Sequence, residues 1–279
     1  MNKIFFLLLL FTISSTVSFA QEPYLHWVRE LKGNNYNSVS RIITDANNNV
    51  YMLGKFTGNL DLNAGSLDTS IQATGANDYY FVKYDRFGNY CWGSFIENNT
   101  LDVNFMEIGP YGYLYINCGF TGNTNLAINS DTAEMAAPGN YMIIYDTSGA
   151  LINYYNSSKT FYIEFDYSNG VMYYTFYNTY PQDIDPGPLQ NNIPAGHLVM
   201  IKCDLLGNYI TAKSINLNYN LNTYCKNIIH NKDSNEIILY LDLRLQVDLD
   251  PNVLTPPVYA APQGSNDIVI AVYDENFNY

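Results

Sequence analysis

The chain has 279 residues, of which 47% are hydrophobic, 15% aromatic and only 14% charged, and its 13 basic and 26 acidic side chains give a formal net charge of −13. A chain of this length can bury a sizeable core, which excludes a miniprotein held together by disulfides alone. The acidic balance argues against nucleic acid or an anionic membrane surface as a partner, because both repel a negatively charged protein.

The first twenty residues have the layout of a secretory signal peptide. A short positive start at Lys3 precedes an apolar run over 4–13, which is too short to span a hydrocarbon core of about 30 Å. Ser18 and Ala20 hold the −3 and −1 positions of a signal-peptidase site, so we expect cleavage before Gln21. We therefore expect a Sec-type exported protein, secreted, periplasmic or at the cell surface. No later stretch approaches about 18 apolar residues, so no membrane insertion is expected after cleavage.

The mature chain, 21–279, is expected to form one domain of four repeated units, over about 33–97, 98–157, 158–216 and 217–279. Each unit ends with an apolar strand-like segment followed by an Asp that opens a tight turn, and these aspartates recur at steps of 61, 58 and 70 residues. A second block, NVYMLGKFTGNLDL at 49–62, is echoed upstream of the later turns. The repeated aspartates are Asp85, Asp146, Asp204 and Asp274.

Each unit is predicted to contain four short strands. In the first unit these are 40–44, 50–57, 79–84 and 90–96, rich in Tyr, Val, Ile and Phe and separated by Gly, Asn, Asp and Ser. Helical periodicity is absent from the mature chain. Four-stranded units at a regular spacing indicate an all-β fold, a β-propeller of about four four-stranded blades whose first strands line the axis.

Several short motifs resemble the β-propeller repeats of secreted and cell-surface bacterial proteins. The resemblance covers nearly the whole mature chain, although the second unit lacks the Asp-rich loop and the fourth lacks the closing Gly. It implies a propeller fold and an extracytoplasmic setting, and it carries no activity and no functional residues. The motifs are Asn49-Val50-Tyr51, Phe56-Thr57-Gly58, the segment 83–89 (KYDRFGN), Trp92, and the loops at 183–187 (DIDPG) and 248–251 (DLDP).

The segment around Trp27 resembles the strand around Trp92, and the fourth unit lacks such a strand. We therefore expect residues 24–31 to complete the last blade by pairing with Asp267–Tyr273, which would close the propeller and satisfy its strand edges. The alternative is that the chain belongs to a larger propeller or a bigger assembly.

Alternating carboxylates follow the second strand in units three and four and are the candidate metal ligands. Such a pair could share Ca²⁺, although calcium takes six to eight oxygens and no EF-hand spacing completes that number. The alternative is that these side chains cap turns through bonds to the backbone. No other cofactor is expected. The candidate calcium ligands are Asp183, Asp185, Asp248 and Asp250.

The four cysteines permit two disulfides, but their spacing fits no zinc pattern, and their surroundings also fit buried small side chains. The three histidines lie in distant elements, and no nucleophile elbow, P-loop or dinucleotide fingerprint occurs. These residues are Cys91, Cys118, Cys203 and Cys225, and His26, His197 and His230.

The function expected from these features is that of a non-enzymatic binding or structural module. The 27 tyrosines either pack between blades or, beside Asn, present a surface for a glycan or a protein partner. The alternative is a carbohydrate-active or other hydrolytic propeller with paired carboxylates near the axis.

Overall fold

The protein is described by a computed structural model. The predicted signal peptide and its cleavage site lie outside the described residues. The structure describes residues 25–63, 69–75, 78–97, 102–126, 135–136, 138–157, 160–178, 181–183, 192–217, 224–243, 246–251, 258–259 and 267–279.

Four antiparallel sheets follow one another along the chain, and each is built from consecutive strands. Sheet I comprises Asn37–Thr44, Val50–Phe56, Asp78–Tyr84 and Tyr90–Ile96. Sheet II comprises Asp102–Ile108, Leu114–Phe120, Gly139–Tyr145 and Leu151–Asn156. Sheet III comprises Thr160–Asp166, Val171–Asn178, His197–Asp204 and Tyr209–Asn216. Sheet IV comprises Tyr224–Asn231, Glu236–Leu243 and Asp267–Asp274.

The long connections between the second and third strands form smaller sheets, joined in the first unit by a short strand that precedes sheet I. A single 3₁₀ turn, Pro110–Gly112, is the one helical element of the described residues, and none of these residues forms a helix that could cross a membrane. The first small sheet has three strands, Lys32–Gly33, Asn59–Asp61 and Ser70–Gln72. The others are pairs: Thr124–Asn125 with Met135–Ala136, Gln182–Asp183 with Asn192–Ile193, and Val247–Asp248 with Val258–Tyr259.

The prediction of an all-β chain is confirmed. The predicted strands of the first unit match those of sheet I, except that its first strand begins at Asn37. Strand residues alternate between the two faces of a sheet, and sheets I to III carry apolar side chains on both. This explains why the central strands are near-continuous runs of Tyr, Ile, Val and Met.

Successive sheets pack face to face, and one hydrophobic cluster fills each of the three spaces between them. We call the side of a sheet that packs on the following sheet its forward face, and the opposite side its rear face. The forward face of sheet I, including Leu53 and Phe81, packs on the rear face of sheet II, including Ile116 and Ile143. Each sheet therefore depends on its neighbours in the chain for burial of its apolar side chains.

The first strands of successive sheets lie against one another. The fourth strands of sheets I, II and III make no comparable contact, so the sheets fan out from their first strands. The first strands of sheets I and IV, both fully described, also lack such a contact.

A recurrent tyrosine ties each third strand to the small sheet of its own unit. Tyr84, Tyr145 and Tyr273 each precede the repeated Asp and are buried. Their hydroxyls donate to the backbone oxygens of Leu62, Leu126 and Leu249, at 2.6, 2.9 and 2.8 Å. The third unit has Cys203 at this position and lacks the bond. Part of the high tyrosine content thus serves packing within and between sheets.

The expected pairing of the N-terminal segment with sheet IV does not occur in the described structure. Residues 25–31 form no strand, and the indole Nε1 of Trp27 donates to the backbone oxygen of Arg86, 3.1 Å away in sheet I. Strand Asp267–Asp274 is hydrogen-bonded to Glu236–Leu243 and to no second strand among the described residues.

The likeness between Trp27 and Trp92 nevertheless has a structural basis. The indole Nε1 of Trp92 donates to the backbone oxygen of Thr147, at 3.0 Å. Thr147 and Arg86 each follow the repeated Asp of their turn, so the two tryptophans contact the same place on consecutive units. The sequence pattern identified the likeness of the two segments, but it predicted neither the contact of the Trp ring nor the sheet that it would touch.

None of the four cysteines forms a disulfide. Cys118 and Cys203 are buried in the clusters between sheets, as small apolar side chains. Cys91 is exposed, Cys225 is half-buried, and desolvation raises the pKa of both thiols. A thiol reagent should therefore distinguish the four.

We expect one fast-reacting thiol per native chain, that of Cys91, and four thiols after unfolding in guanidinium. The reagent attacks the thiolate, and a raised pKa means that labelling accelerates between pH 7 and pH 9. Time-resolved labelling with a chromogenic disulfide measures this, with Cys91→Ser as the control that removes the fast phase. Fast reaction of two or more thiols in the native protein would contradict the described burial.

Candidate functional site

The tight turns of all four sheets lie at the same end, because strands one and three end there and strands two and four begin there. We call this end of the molecule the turn face. It is formed by the turns 45–49, 85–89, 109–113, 146–150, 166–170, 204–208, 231–235 and 274–278.

The repeated Asp organises its own turn. Oδ1 of Asp85 accepts hydrogen bonds from the backbone nitrogens of Phe87 and Asn89, both at 2.8 Å, and Oδ2 accepts one from the Asn89 side chain at 2.9 Å. The prediction that the Asp bonds the backbone two residues on is confirmed in all four units. The same complete arrangement occurs at Asp45, Asp204 and Asp274.

The fourth position of these turns has a positive φ, which glycine adopts without strain. Gly88, Gly149 and Gly207 have φ of 78°, 84° and 85°. The last unit lacks this Gly, and Phe277 takes the position with φ 60°. Its buried ring packs edge-on against Tyr173 of sheet III, at 6.0 Å between centroids. Packing between sheets therefore offsets the backbone strain.

These carboxylates are held in their charged form by the turns. Burial would raise the pKa of Asp166, but hydrogen bonds from Ser168 and Asn169 outweigh it and lower the pKa to about 2. Hydrogen bonds also lower the pKa of the carboxyls in four other turns. Side chains engaged in this way maintain the turns and leave ligand recognition to other residues. The four are Asp45, Asp85, Asp146 and Asp274.

An open cleft of about 380 Å³ lies on the turn face of sheet I, between the turns 45–49 and 85–89. Its lining combines amide, carboxylate, guanidinium and aromatic groups. Phe87 is 62% exposed, and the Arg86 guanidinium lies over its ring at 4.6 Å. The lining residues are Ala46, Asn47, Asn48, Asn49, Asp85, Arg86 and Phe87.

Further exposed aromatic rings lie on the turn face beyond the cleft. Tyr111 belongs to a turn of sheet II and has a positive φ of 62°. Tyr167 belongs to a turn of sheet III, where the Lys232 ammonium lies 5.3 Å from its ring centroid. Exposed rings beside amides and cations are typical of surfaces that bind sugars or protein loops.

Two glutamates occupy matching positions on neighbouring first strands. Glu107 pairs with Tyr115 and Glu164 with Tyr173, at the same place in sheets II and III. Desolvation and the charge of Glu164 raise the pKa of Glu107. Desolvation also raises the pKa of Glu164. A hydrogen bond from the backbone of His230 and the charge of Lys232 act to lower this pKa, but desolvation is the larger effect. This is a pair of carboxyl groups where the first strands converge.

Sequence reasoning did not select these glutamates or the cleft. The signal for the glutamates was present, because FMEI at 105–108 and YIEF at 162–165 each place a Glu inside an apolar first strand. No sequence pattern pointed to the cleft. Its two turns are 35 residues or more apart in sequence, and they meet only because the strands of sheet I pair.

The predicted calcium pair of the third unit is only partly described, because Asp183 is exposed in one small sheet and Asp185 lies outside the described residues. In the fourth unit, Asp248 ends a strand of another small sheet and Asp250 follows two residues later. Calcium binding at either pair stays a prediction. Oδ1 of Asp248 accepts a hydrogen bond from the backbone nitrogen of Asp250 at 3.0 Å, which is a turn-capping contact. Among the described residues, no three His, Cys, Asp or Glu side chains are placed to hold a metal ion.

The described histidines occupy separate environments. Nδ1 of His197 is 3.0 Å from the Ser214 hydroxyl, and burial lowers the pKa of this imidazole. His230 is buried between sheets III and IV, where its Nδ1 lies 3.8 Å from Oδ2 of Asp166. The other ring nitrogen of His230, Nε2, lies 3.0 Å from Oδ1 of Asn235, so an amide stands where a triad requires its nucleophile.

No family model matches the sequence, and no curated protein matches it. Among solved structures, the chain is similar to the Dos1 propeller, over 86% of this chain and 67% of that one, with 9% sequence identity and a TM-score of 0.36. A likeness at this level assigns neither a family nor a function.

Proposed function

We propose that the protein is a secreted, non-enzymatic β-propeller module that binds a glycan or a protein ligand at or outside the cell surface. The four sheets would be its blades, with their first strands at the axis. The observation that carries the proposal is the cleft on sheet I, where an exposed Phe87 ring stands beside Arg86 and a row of three asparagines. Extracytoplasmic placement rests on the signal-like sequence over 1–20.

The chemistry of the cleft suits a glycan. A sugar ring presents an apolar face that stacks on an aromatic side chain, and its hydroxyls pair with amide groups. Asn47 and Asn48 supply such groups along one wall, while the Asn49 amide bonds Asp45, and Phe87 supplies the ring. The cleft is open, which suits an extended chain or a terminal sugar better than a buried small molecule.

We expect Phe87→Ala to weaken glycan binding by about tenfold or more, because an aromatic anchor at the centre of a site contributes most of its affinity. A glycan array with the mature chain identifies the ligand, and titration calorimetry with the best glycan measures the effect. Leu206→Ala is the matched control, since Leu206 is exposed at the same place in the turn of sheet III. Equal binding by wild type and Phe87→Ala would exclude this cleft as the site.

A hydrolytic propeller is the second candidate, and the glutamate pair on the first strands favours it. A carboxyl group with a raised pKa suits a general acid, and a second carboxylate beside it suits a base or nucleophile. Glu107→Gln and Glu164→Gln would each abolish hydrolysis of chromogenic glycosides if this candidate is correct. Absence of any turnover by the wild-type protein across such a panel would reject it.

A further inference from the structure

The forward face of sheet IV is apolar and uncovered. The residue four positions before the repeated Asp lies on the forward face in every unit. In sheets I to III it is Phe81, Met142 and Met200, each at most 1% exposed because the next sheet covers it. In sheet IV it is Ile270, which is 68% exposed. An apolar side chain is thus retained at a position that another sheet covers in the first three units.

The uncovered surface extends across all three strands of sheet IV. Tyr240 lies directly opposite Ile270 in the ladder, and Ile238 lies opposite both Ile229 and Val272. Such contiguous exposed apolar surface is typical of an interaction site. The exposed members of this face are Ile229, Tyr240, Ile268, Ile270 and Val272.

The rear face of sheet I is uncovered at its first strand. Ile42 is 58% exposed, whereas the residues at the same ladder position in the other sheets are at most 8% exposed beneath the preceding sheet. The small sheet of the first unit, through Leu60 and Ile71, covers the outer strands of this rear face together with Leu31, which packs against the cluster formed by Tyr80 and Tyr84. The residues equivalent to Ile42 are Met106, Ile163 and Ile228.

The N-terminal segment adds a second complementary feature to sheet I. Trp27 contacts the turn of sheet I as Trp92 of the fourth strand contacts the turn of sheet II. It therefore stands where the fourth strand of a preceding unit would stand. Strand Asp267–Asp274 of sheet IV, in turn, has no fourth strand beside it among the described residues.

Charge contributes little to the match between the two surfaces. Strand Asp267–Asp274 begins and ends with an acidic residue, but Asp274 is engaged in its own turn and Glu275 pairs with Lys202 of the same chain at 3.1 Å. The N-terminal segment carries Arg29, Glu30 and Lys32, an excess of one positive charge in a chain whose formal net charge is −13. Two acidic copies repel each other in general, so the apolar contact must supply the association.

We propose that two copies of this chain form a dimer in which the last sheet of each copy contacts the first sheet of the other. The forward face of sheet IV in one copy packs on the rear face of sheet I in the other, and the segment around Trp27 lies beside strand Asp267–Asp274. The two contacts are related by a two-fold axis and close a ring of eight sheets. Each contact places an apolar sheet face on the exposed first strand of sheet I, as first strands pack between successive sheets within one chain, while the outer strands of sheet I stay covered by their own copy.

A ring of two copies fits the four sheets of the described residues. A head-to-tail contact forms a closed ring when its rotation closes and an open filament when it does not. Known propellers have typically four to eight blades, and two copies of these four sheets would give eight. Among the described residues, the first strands of sheets I and IV make no close contact within one chain, which leaves both faces open to a second copy.

The test is the mass of the full mature chain in solution, measured by light scattering and by sedimentation over a range of concentrations. We expect a discrete dimer. Ile270→Lys and Ile42→Lys each place a charge in both contacts of the ring and should raise the dimer dissociation constant at least about tenfold. Ile210→Lys is the control, because Ile210 is exposed on the fourth strand of sheet III, away from both faces, and should leave the dimer intact.

Mixing the two variants sharpens the test. A pair made of one Ile270→Lys chain and one Ile42→Lys chain retains one unmodified contact, so association should return in part. A dimeric Ile42→Lys protein would show that sheet IV packs on itself and would overturn the proposal. A monomeric wild type would overturn the proposal as well, whether or not its sheets close into a ring within one chain. A filament would also overturn it. Unchanged circular dichroism of each variant shows that loss of the dimer is not unfolding.

Discussion

Tyr115→Ala should lower the free energy of unfolding by about 3–5 kcal/mol, as expected for truncation of a large buried ring. Tyr115 is fully buried on the forward face of sheet II, and its ring centroid lies 4.8 Å from that of Phe165 in sheet III. Its hydroxyl donates to the backbone oxygen of Leu205 at 2.7 Å, which joins the two sheets at the turn face. The substitution removes both contacts and leaves a cavity between the sheets.

Phenylalanine variants separate the hydrogen bond from the packing. Tyr115→Phe should cost about 1 kcal/mol, the net contribution of one buried hydrogen bond. Tyr173 holds the same ladder position in sheet III, and its buried hydroxyl has no hydrogen-bond partner among the described residues. Tyr173→Phe should therefore be neutral or stabilising. Chemical denaturation of the three variants measures the differences, and an equal cost for the two phenylalanine variants would contradict the assigned bond.

Acid should destabilise the protein between pH 4 and pH 2. A carboxyl group whose pKa is lower in the folded state stabilises the fold above its unfolded pKa and loses that effect as pH falls through the folded pKa. The pKa of Asp166 falls from 3.8 to about 2, so this buried group alone contributes about 2 kcal/mol at neutral pH that is lost over that range. The other turn carboxylates with lowered pKa act in the same direction.

Asp166→Asn tests the assignment to a single turn. The variant should start less stable at pH 7 and lose less stability than the wild type between pH 4 and pH 2. Asp233→Asn, an exposed substitution in the neighbouring turn of sheet IV, is the matched control and should follow the wild-type profile. Thermal midpoints measured at intervals of half a pH unit give the profiles, and parallel curves for wild type and Asp166→Asn would contradict the prediction.

The strands were predictable because local chemistry determines them. Runs of Tyr, Ile and Val between Asp-Gly-Asn turns define sheet I to within a few residues, and the role of Asp85 followed from its place at the start of a turn. The repeat also indicated which strands share a sheet. These features depend on neighbours within a few residues, or on one hairpin, so a single sequence contains them.

The partner of Trp27 and the candidate sites depend on longer distances. Sequence likeness showed that Trp27 resembles Trp92, but the same Trp can contact sheet I whether or not sheet IV lies beside it. The glutamates Glu107 and Glu164 become neighbours only when two first strands converge. The alternating aspartates, by contrast, are close in sequence, so the sequence suggests both a calcium pair and a capped turn. Asp248 caps a turn in the structure, and calcium binding stays a prediction.

Every main sheet is built from one uninterrupted stretch of chain, and this has a consequence for how the protein reaches its fold. Strand pairing needs no segment from another unit, so the loops that must close are short compared with the whole chain, and low contact order favours fast formation of each sheet. Burial between sheets can then proceed in chain order, because Leu31 and the small sheet that cover the outer strands of sheet I come from the same first unit. A chain that emerges gradually, during synthesis or export, can therefore consolidate one sheet on another without waiting for its last residues.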